Sequence, residues 1–199
     1  MRELFAQGGP LMYGILLLSI AGLTVIIERL YYFIVVERAN YEELKENIKN
    51  YLERKDIDGA INYCRGYNNS VARILETILE NSDSNRDVLE EEIRETILER
   101  IPFLERYMWI LGMAANVTPL VGLLGTVTGM IKAFNVISNQ GIGKPEMLAG
   151  GISQALITTA AGLTVAIPAL IMYNYFNKKI DSLTNEMEKT AVEFLNILG

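Results

Sequence analysis

Thr118-Pro-Leu-Val-Gly-Leu-Leu-Gly-Thr-Val-Thr-Gly129 is apolar enough to sit in a membrane, yet rich in glycine and threonine. Written as a helix, Gly122, Gly125, Thr126 and Gly129 recur at i, i+3, i+4 and i+7, which makes one narrow face almost without side-chain bulk. A second stretch, residues 151–169, repeats the pattern with Gly151, Ala155, Thr158, Thr159, Gly162, Ala166 and Ala169. Membrane helices with such faces are built to lie close against something. Two readings of the faces stand side by side. One is tight helix packing, through Gly122, Gly125, Gly129, Gly151, Ala155 and Gly162, with Pro119 and Pro168 in the same two helices. The other is a narrow polar lining for an ion, through Thr126, Gln154, Thr158 and Thr159.

Around these stretches the charges are unevenly spread. The chain has 199 residues, half of them hydrophobic, and a net charge of −6. Charge is absent from residues 107–131, 147–177 and 10–27, which are 25, 31 and 18 residues long. About 20 apolar residues cross a bilayer core as a helix, so three spans are predicted. The first continues past Glu28 and Arg29 into Leu-Tyr-Tyr-Phe-Ile-Val-Val, an interfacial aromatic belt. Its N-terminal side has no basic n-region and no small-residue cleavage site, which predicts a retained anchor. Lysine and arginine are concentrated between Arg38 and Arg106, with 11 of the 18. The positive-inside tendency therefore predicts the N-terminus outside and residues 38–106 and the C-terminus inside.

The segmentation that follows is an outer lead and first span at 1–36, a cytoplasmic helical domain at 37–106, and a second span at 107–138. An outer hairpin at 139–146, a third span at 147–177 and a cytoplasmic C-terminal helix at 178–199 complete it. The fold class is all-α. Within the charged segment, Tyr41, Leu44, Ile48, Tyr51 and Leu52 form one stripe, and Val71, Ile74, Leu75 and Ile78 another. Asp56 or Asp58 can cap a short helix ended by Gly66, and Ser70 can cap the helix 71–80. Leu89, Ile93, Ile97, Ile101, Leu104 and Met108 recur straight into the second span, which predicts one long helix kinked at Pro102 and Pro119.

The composition also excludes. With no histidine, His-based metal sites and catalytic triads are ruled out, no cofactor is expected, and the chain is not read as an enzyme. The single cysteine, Cys64, forms no internal disulfide and is expected to be buried. An acidic balance argues against nucleic acid as a partner; membrane lipid is the expected surroundings. No Asp, Glu, Lys or Arg lies in the middle of the second and third spans. Ion pathways normally place an ionisable group at that depth, so a titrating carboxylate would have to come from another chain.

These residues carry a resemblance. The stretch 118–130 resembles the second-span motif of the ExbB/TolQ family of energy-transducing proteins, relatives of the flagellar stator subunit MotA. Gly151-Ile-Ser-Gln-Ala-Leu-Ile-Thr-Thr-Ala-Ala-Gly-Leu-Thr-Val-Ala-Ile-Pro168 resembles its third-span motif, and residues 60–64 and 71–75 resemble its cytoplasmic helices. Three spans favour the ExbB/TolQ branch over MotA. The resemblance implies a homopentamer in the bacterial inner membrane whose second and third spans line a pore. An ExbD/TolR-type single-span partner with an intramembrane aspartate would occupy that pore, and a TonB/TolA-like protein would receive the work. It also implies that Thr126 and Thr159 line the pore and that Gln154 stands where many members have glutamate. Glutamine coordinates a cation through its carbonyl but does not titrate, so a sodium-driven, stator-like member is an alternative to a proton-driven one. A non-conducting membrane scaffold is another.

Overall fold

The computed structural model describes residues 8–37, 40–140 and 145–198, with backbone alone at 136, 139–140 and 145–148. Every regular element among the described residues is helical. They are α1 (Leu11–Tyr31), a π-helical turn (Tyr32–Val36), α2 (Tyr41–Glu53), α3 (Ile57–Arg65), α4 (Ser70–Glu80), α5 (Arg86–Leu104), α6 (Met108–Gln140) and α7 (Pro145–Leu198). Three helical runs, starting at Leu11, Met108 and Ala149, are long and apolar enough to cross a membrane. The C-terminal helix expected at 178–199 is the continuation of α7. Of the outer hairpin expected at 139–146, residues 141–144 lie outside the described ones.

The chain forms two compact units. Among the described residues, one comprises those from 8 to 27 and from 107 to 175, the other those from 28 to 106 and from 176 to 198. In the first, Leu17, Ile20, Leu23, Leu120, Ile131 and Leu156 are more than half exposed. A water-soluble domain of this size does not present so much contiguous apolar side chain, whereas a bilayer solvates it.

In the second unit α4 is the central helix. Val71, Ala72, Ile74, Leu75, Ile78 and Leu79 are all at most 1% exposed, as expected of a helix apolar on most of its circumference. Each buried Ile or Leu contributes about 1.5–3 kcal/mol. Helix α3 packs against α4 and α2, and α5 against α4. The C-terminal part of α7 buries Phe176, Ile180, Leu183, Met187 and Phe194, and Phe176 stacks on Phe33 with ring centroids 5.6 Å apart. Cys64 is buried under α4, and burial, with Glu76 nearby, pushes its thiol up to about 12, which leaves it inert.

Two expected boundaries are corrected. Helix α3 is capped by Asp56, whose carboxylate accepts the Gly59 N–H at 2.9 Å. Helix α4, however, is capped by Asn69, whose Oδ1 accepts the Ala72 N–H at 2.8 Å, and Ser70 is its first residue. Ser70 is drawn away by a buried carboxylate: its N–H and hydroxyl both donate to Glu37, at 3.0 and 2.7 Å. A carboxylate at a helix N-terminus satisfies a free N–H and the helix dipole together. Arg100 of α5 lies 3.6 Å from the same carboxylate, whose side chain is fully buried.

The second correction concerns the long helix expected to run from Leu89 into the second span. Helix α5 ends at Leu104, and the chain restarts at Met108 after a left-handed residue, Tyr107, with φ 63°. Pro102 removes an N–H from the last turn of α5. The carbonyls of Phe103 and Leu104, which a continuing helix would bond four residues on, instead accept Arg29 Nη1 at 3.0 and 3.2 Å. Arg29 is 1% exposed. Its remaining fork pairs with both oxygens of Glu28 at 2.5 Å, and it stacks over Tyr32 at 4.6 Å. A guanidinium at helix C-terminal carbonyls complements the dipole as well as the bonds.

Ion pairs tie α2 to α7. Lys45, 3% exposed, donates to Glu186 at 2.7 Å, and Lys49 to Glu193 at 2.5 Å. Burial would depress Lys45, but hydrogen bonds to Glu186 and Glu42 outweigh it and hold its pKa above the ordinary 10.5. The Lys49 hydrogen bond holds Glu193 below 4.5. Burial would raise Glu76, but Arg65 and Arg73 bring it below 4.5 as well. Depressed carboxylates contribute stability fully above their ordinary value and lose it as pH falls through the folded one. The raised lysine contributes below 10.5 and loses it as pH rises past its folded value. The buried Cys64 thiol, raised from 9.0, adds a loss on the alkaline side, because the unfolded chain releases that proton first. The second unit is therefore expected to hold a stability plateau from 4.5 to 9.0, and thermal melts should fall on both sides of it. Separately, Glu37→Ala strands Arg100 and frees the Ser70 N–H. It should cost about 3 kcal/mol or more, read by denaturant unfolding of the detergent-purified protein together with lost exchange protection at the Ser70 amide.

Candidate functional site: the threonine-dotted wall of α6 and α7

The glycine faces of the second and third spans lie against each other. A Cβ built on Gly162 would fall 2.9 Å from the Thr118 carbonyl oxygen and 3.2 Å from the Gly122 Cα. One on Gly122 would fall 3.1 Å from the Thr159 Cα, and one on Gly129 2.9 Å from the Gly151 carbonyl and 2.8 Å from the Ala155 Cβ. One on Gly151 would meet the Ala133 Cβ at 3.0 Å. These neighbours are backbone, or side chains no larger than a methyl group, so they have no rotamer with which to yield. Ala155, Ala166 and Ala169 are buried on the same side of α7. Pro119 is partly exposed, and Pro168 is exposed on the protomer, away from this contact. The first span joins through Gly22, whose Cβ position lies 3.2 Å from the Ala114 Cβ.

The threonines spend their protons inward. Thr159 Oγ1 crosses between helices to the Gly122 carbonyl at 2.8 Å. Thr126 Oγ1 donates to Leu123 O at 2.6 Å, Thr128 Oγ1 to Gly125 O at 3.1 Å and Thr164 Oγ1 to Ala160 O at 2.8 Å. Thr118 does the same to Ala114 O at 2.6 Å, but is fully buried. Each hydroxyl has one proton and two lone pairs. With the proton committed to a carbonyl, an exposed threonine offers its surroundings acceptor oxygens alone. That is a surface for a cation or for a donor group on another chain.

The four residues expected to line an ion path are placed differently. Thr126 and Thr159 are partly exposed at the flanks of the helix contact. Gln154 is partly exposed, and Thr158 is 1% exposed with its hydroxyl bonded to Gly8 O at 2.9 Å and Gln154 O at 2.8 Å. Sequence reasoning missed the turn at residues 8–9 that covers Thr158. The Gly-Gly-Pro sequence before the first span was the available signal.

The sequence model of a family described as the MotA/TolQ/ExbB proton channel family matches residues 67–189. Similar curated proteins include a putative biopolymer transport protein, an ExbB homolog of Methanothermobacter thermautotrophicus. It is 27% identical over 186 residues, 94% of this chain and 66% of that protein. The Tol-Pal system protein TolQ of Haemophilus influenzae is 36% identical over 104 residues, 52% of this chain and 42% of that protein. The biopolymer transport protein ExbB of Neisseria meningitidis is 25% identical over 209 residues, 96% of this chain and 93% of that protein. The chain thus spans under two thirds of the length of the first two relatives.

The packing assigns the glycines a measurable weight. Gly162→Ala should destabilise the detergent-purified protein by about 1–3 kcal/mol, because the added methyl meets backbone. Gly14→Ala and Gly150→Ala have nothing within 4 Å. They should be neutral or stabilising by up to about 1 kcal/mol, since alanine is the better helix former. Thermal melts of the three variants in one detergent decide it, and equal losses at all three positions would dispose of the packing account.

Proposed function

The chain belongs to the MotA/TolQ/ExbB proton channel family, and from that membership we propose that it is the channel subunit of an ExbB/TolQ-type energy-transducing motor. In this reading it is a multi-pass protein of the bacterial inner membrane with its N-terminus outside and its C-terminus in the cytoplasm. It assembles as a homopentamer around the transmembrane helices of an ExbD/TolR-type partner, in a bilayer whose lipids its exposed apolar faces contact. Proton-motive force drives movement, and a TonB/TolA-like protein passes the work to the outer envelope, as in TonB-dependent import.

The observation that carries this reading is the combination of exposed threonine acceptors with the absence of any charged side chain across residues 107–131 and 147–177. A proton needs a group that binds and releases it at membrane depth. A wall of acceptor oxygens without a carboxylate complements a partner that brings one. Protonated, the partner's carboxylic acid donates to a threonine oxygen; ionised, it loses that donor and must take up water or another proton. The wall then distinguishes the two states of a group that it does not own.

Gln154 favours one second reading, in which sodium is the coupling ion, because an amide carbonyl is a cation ligand that does not compete for protons. A single assay separates the readings. The chain is reconstituted with its single-span partner, and ion flux into vesicles is followed under an imposed gradient. Partner-dependent proton flux, abolished about tenfold or more by Thr126→Ala combined with Thr159→Ala, is the expected result. Flux that needs sodium and survives a protonophore establishes the sodium reading. A complex that passes neither ion is a structural scaffold.

A further inference from the structure

Three pieces of chain meet at Thr158. Its methyl group fills the space left by the missing side chain of Gly125 on α6, where a Cβ would fall 2.5 Å from Thr158 Cγ2. Its hydroxyl is shared between the carbonyls of Gln154, one turn back on α7, and Gly8, ahead of the first span. Gly9, the next residue, has φ +76°, where a side chain is strained. A Cβ there would overlap the Gln154 amide nitrogen. Two independent constraints, backbone sign and lack of space, therefore require glycine at one position, and both concern the packing of the turn onto the third span.

The contact is specific. Gly8 is helical but Gly9 has left the helical region, so the Gly8 carbonyl has no partner further along a continuing helix. Thr158 supplies that partner. In return the turn covers a hydroxyl that would otherwise face outward from α7, and it limits where the Gln154 amide can swing. We propose that the Gly8–Gly9 turn is a latch on the third span. In this role Gly9, Gln154 and Thr158 are positioning residues of the channel wall: the turn seals Thr158 from water and sets the orientation of the Gln154 amide. What the wall serves rests on the channel reading above; the latch itself is tested without it.

The test uses the complete chain in membranes, with Thr158→Cys as a reporter whose thiol keeps a weaker donor in place of the hydroxyl, while the packing of the turn through Gly9 and Gln154 is unchanged. Cys64, buried in the folded chain, is replaced by alanine so that the reporter is the single thiol both in membranes and in SDS. Native Thr158→Cys should react with N-ethylmaleimide about a hundredfold more slowly than the same protein in SDS, because only local opening exposes the thiol. Adding Gly9→Ala should raise the native rate about tenfold or more by holding the latch open. Where Gly9→Ala fails to accumulate, Gln154→Ala, which removes the side chain packed over Gly9, should raise it in the same direction. Native labelling as fast as in SDS, or a rate unmoved by both substitutions, overturns the latch. Partner-dependent proton flux is measured alongside on the unsubstituted chain. Flux absent with the labelling pattern intact removes the channel reading and leaves the latch standing; flux present without the pattern removes the latch alone.

Discussion

The second and third spans approach until backbone meets backbone. Gly162 lies under the Thr118 carbonyl, and Gly129 under that of Gly151. In a bilayer no hydrophobic force separates helix from lipid, so association depends on close dispersion contact and on interhelical hydrogen bonds. Glycine supplies the first, and the Thr159 bond to Gly122 O supplies the second across the same contact. The consequence reaches beyond packing. Once the glycine faces are consumed within the chain, the surfaces left for other molecules are the flanks and backs of these helices. Those flanks hold Thr126 and Thr159, and the backs carry leucine and isoleucine. A small-residue face and a polar lining are thus adjacent strips of the same helices, and their order around each helix separates what holds the wall together from what it presents.

In the second unit the polar groups that entered the core did so in sets. Glu37 has Ser70 and Arg100, Lys45 has Glu186 and Glu42, and Arg29 has Glu28 and two carbonyls. A lone buried charge would shift its protonation instead of staying ionised. The partners come from distant points of the chain: Arg29 reaches across 75 residues to Leu104, and Lys45 across 141 to Glu186. Such pairs add little net stability compared with apolar replacements, but they fix register, because only one arrangement satisfies all of their donors. The start of α4 and the end of α5 are set this way.

That is also why some of the structure was legible in the sequence and some was not. Charge-free runs and three-to-four-residue periodicity depend on neighbours along one helix, and they located α2, α4 and α5 as well as the three apolar runs, while the short α3 was found from its capping residues. Boundaries decided by distant residues were misplaced. Ser70 and Asn69 are both good caps, and Glu37, 33 residues away, decided between them. Pro102 signals a kink as easily as a stop, and Arg29 made it a stop. At the site, periodicity showed which residues share a face but not what that face meets. Gly122 and Thr126 are four apart and looked like one surface. One is buried against Thr159, while the other sits at the edge.

The division of labour within the wall follows from hydrogen-bond arithmetic. A threonine whose proton is tied to its own helix cannot release or relay one; it can only accept. Thr126 is in that state, and Thr159 has committed its proton to Gly122 O on the facing helix. Such residues offer no charged group at membrane depth, since Asp, Glu, Lys and Arg are absent across residues 107–131 and 147–177. Nor do they trap a proton, because no carboxylate is present to hold one tightly. An acidic group on a neighbouring helix would find threonine acceptors when protonated, whereas the ionised form could accept from an amide such as that of Gln154 but not from these threonines. In the channel reading proposed above, the energy difference between those states would vary with the partner's position along the wall.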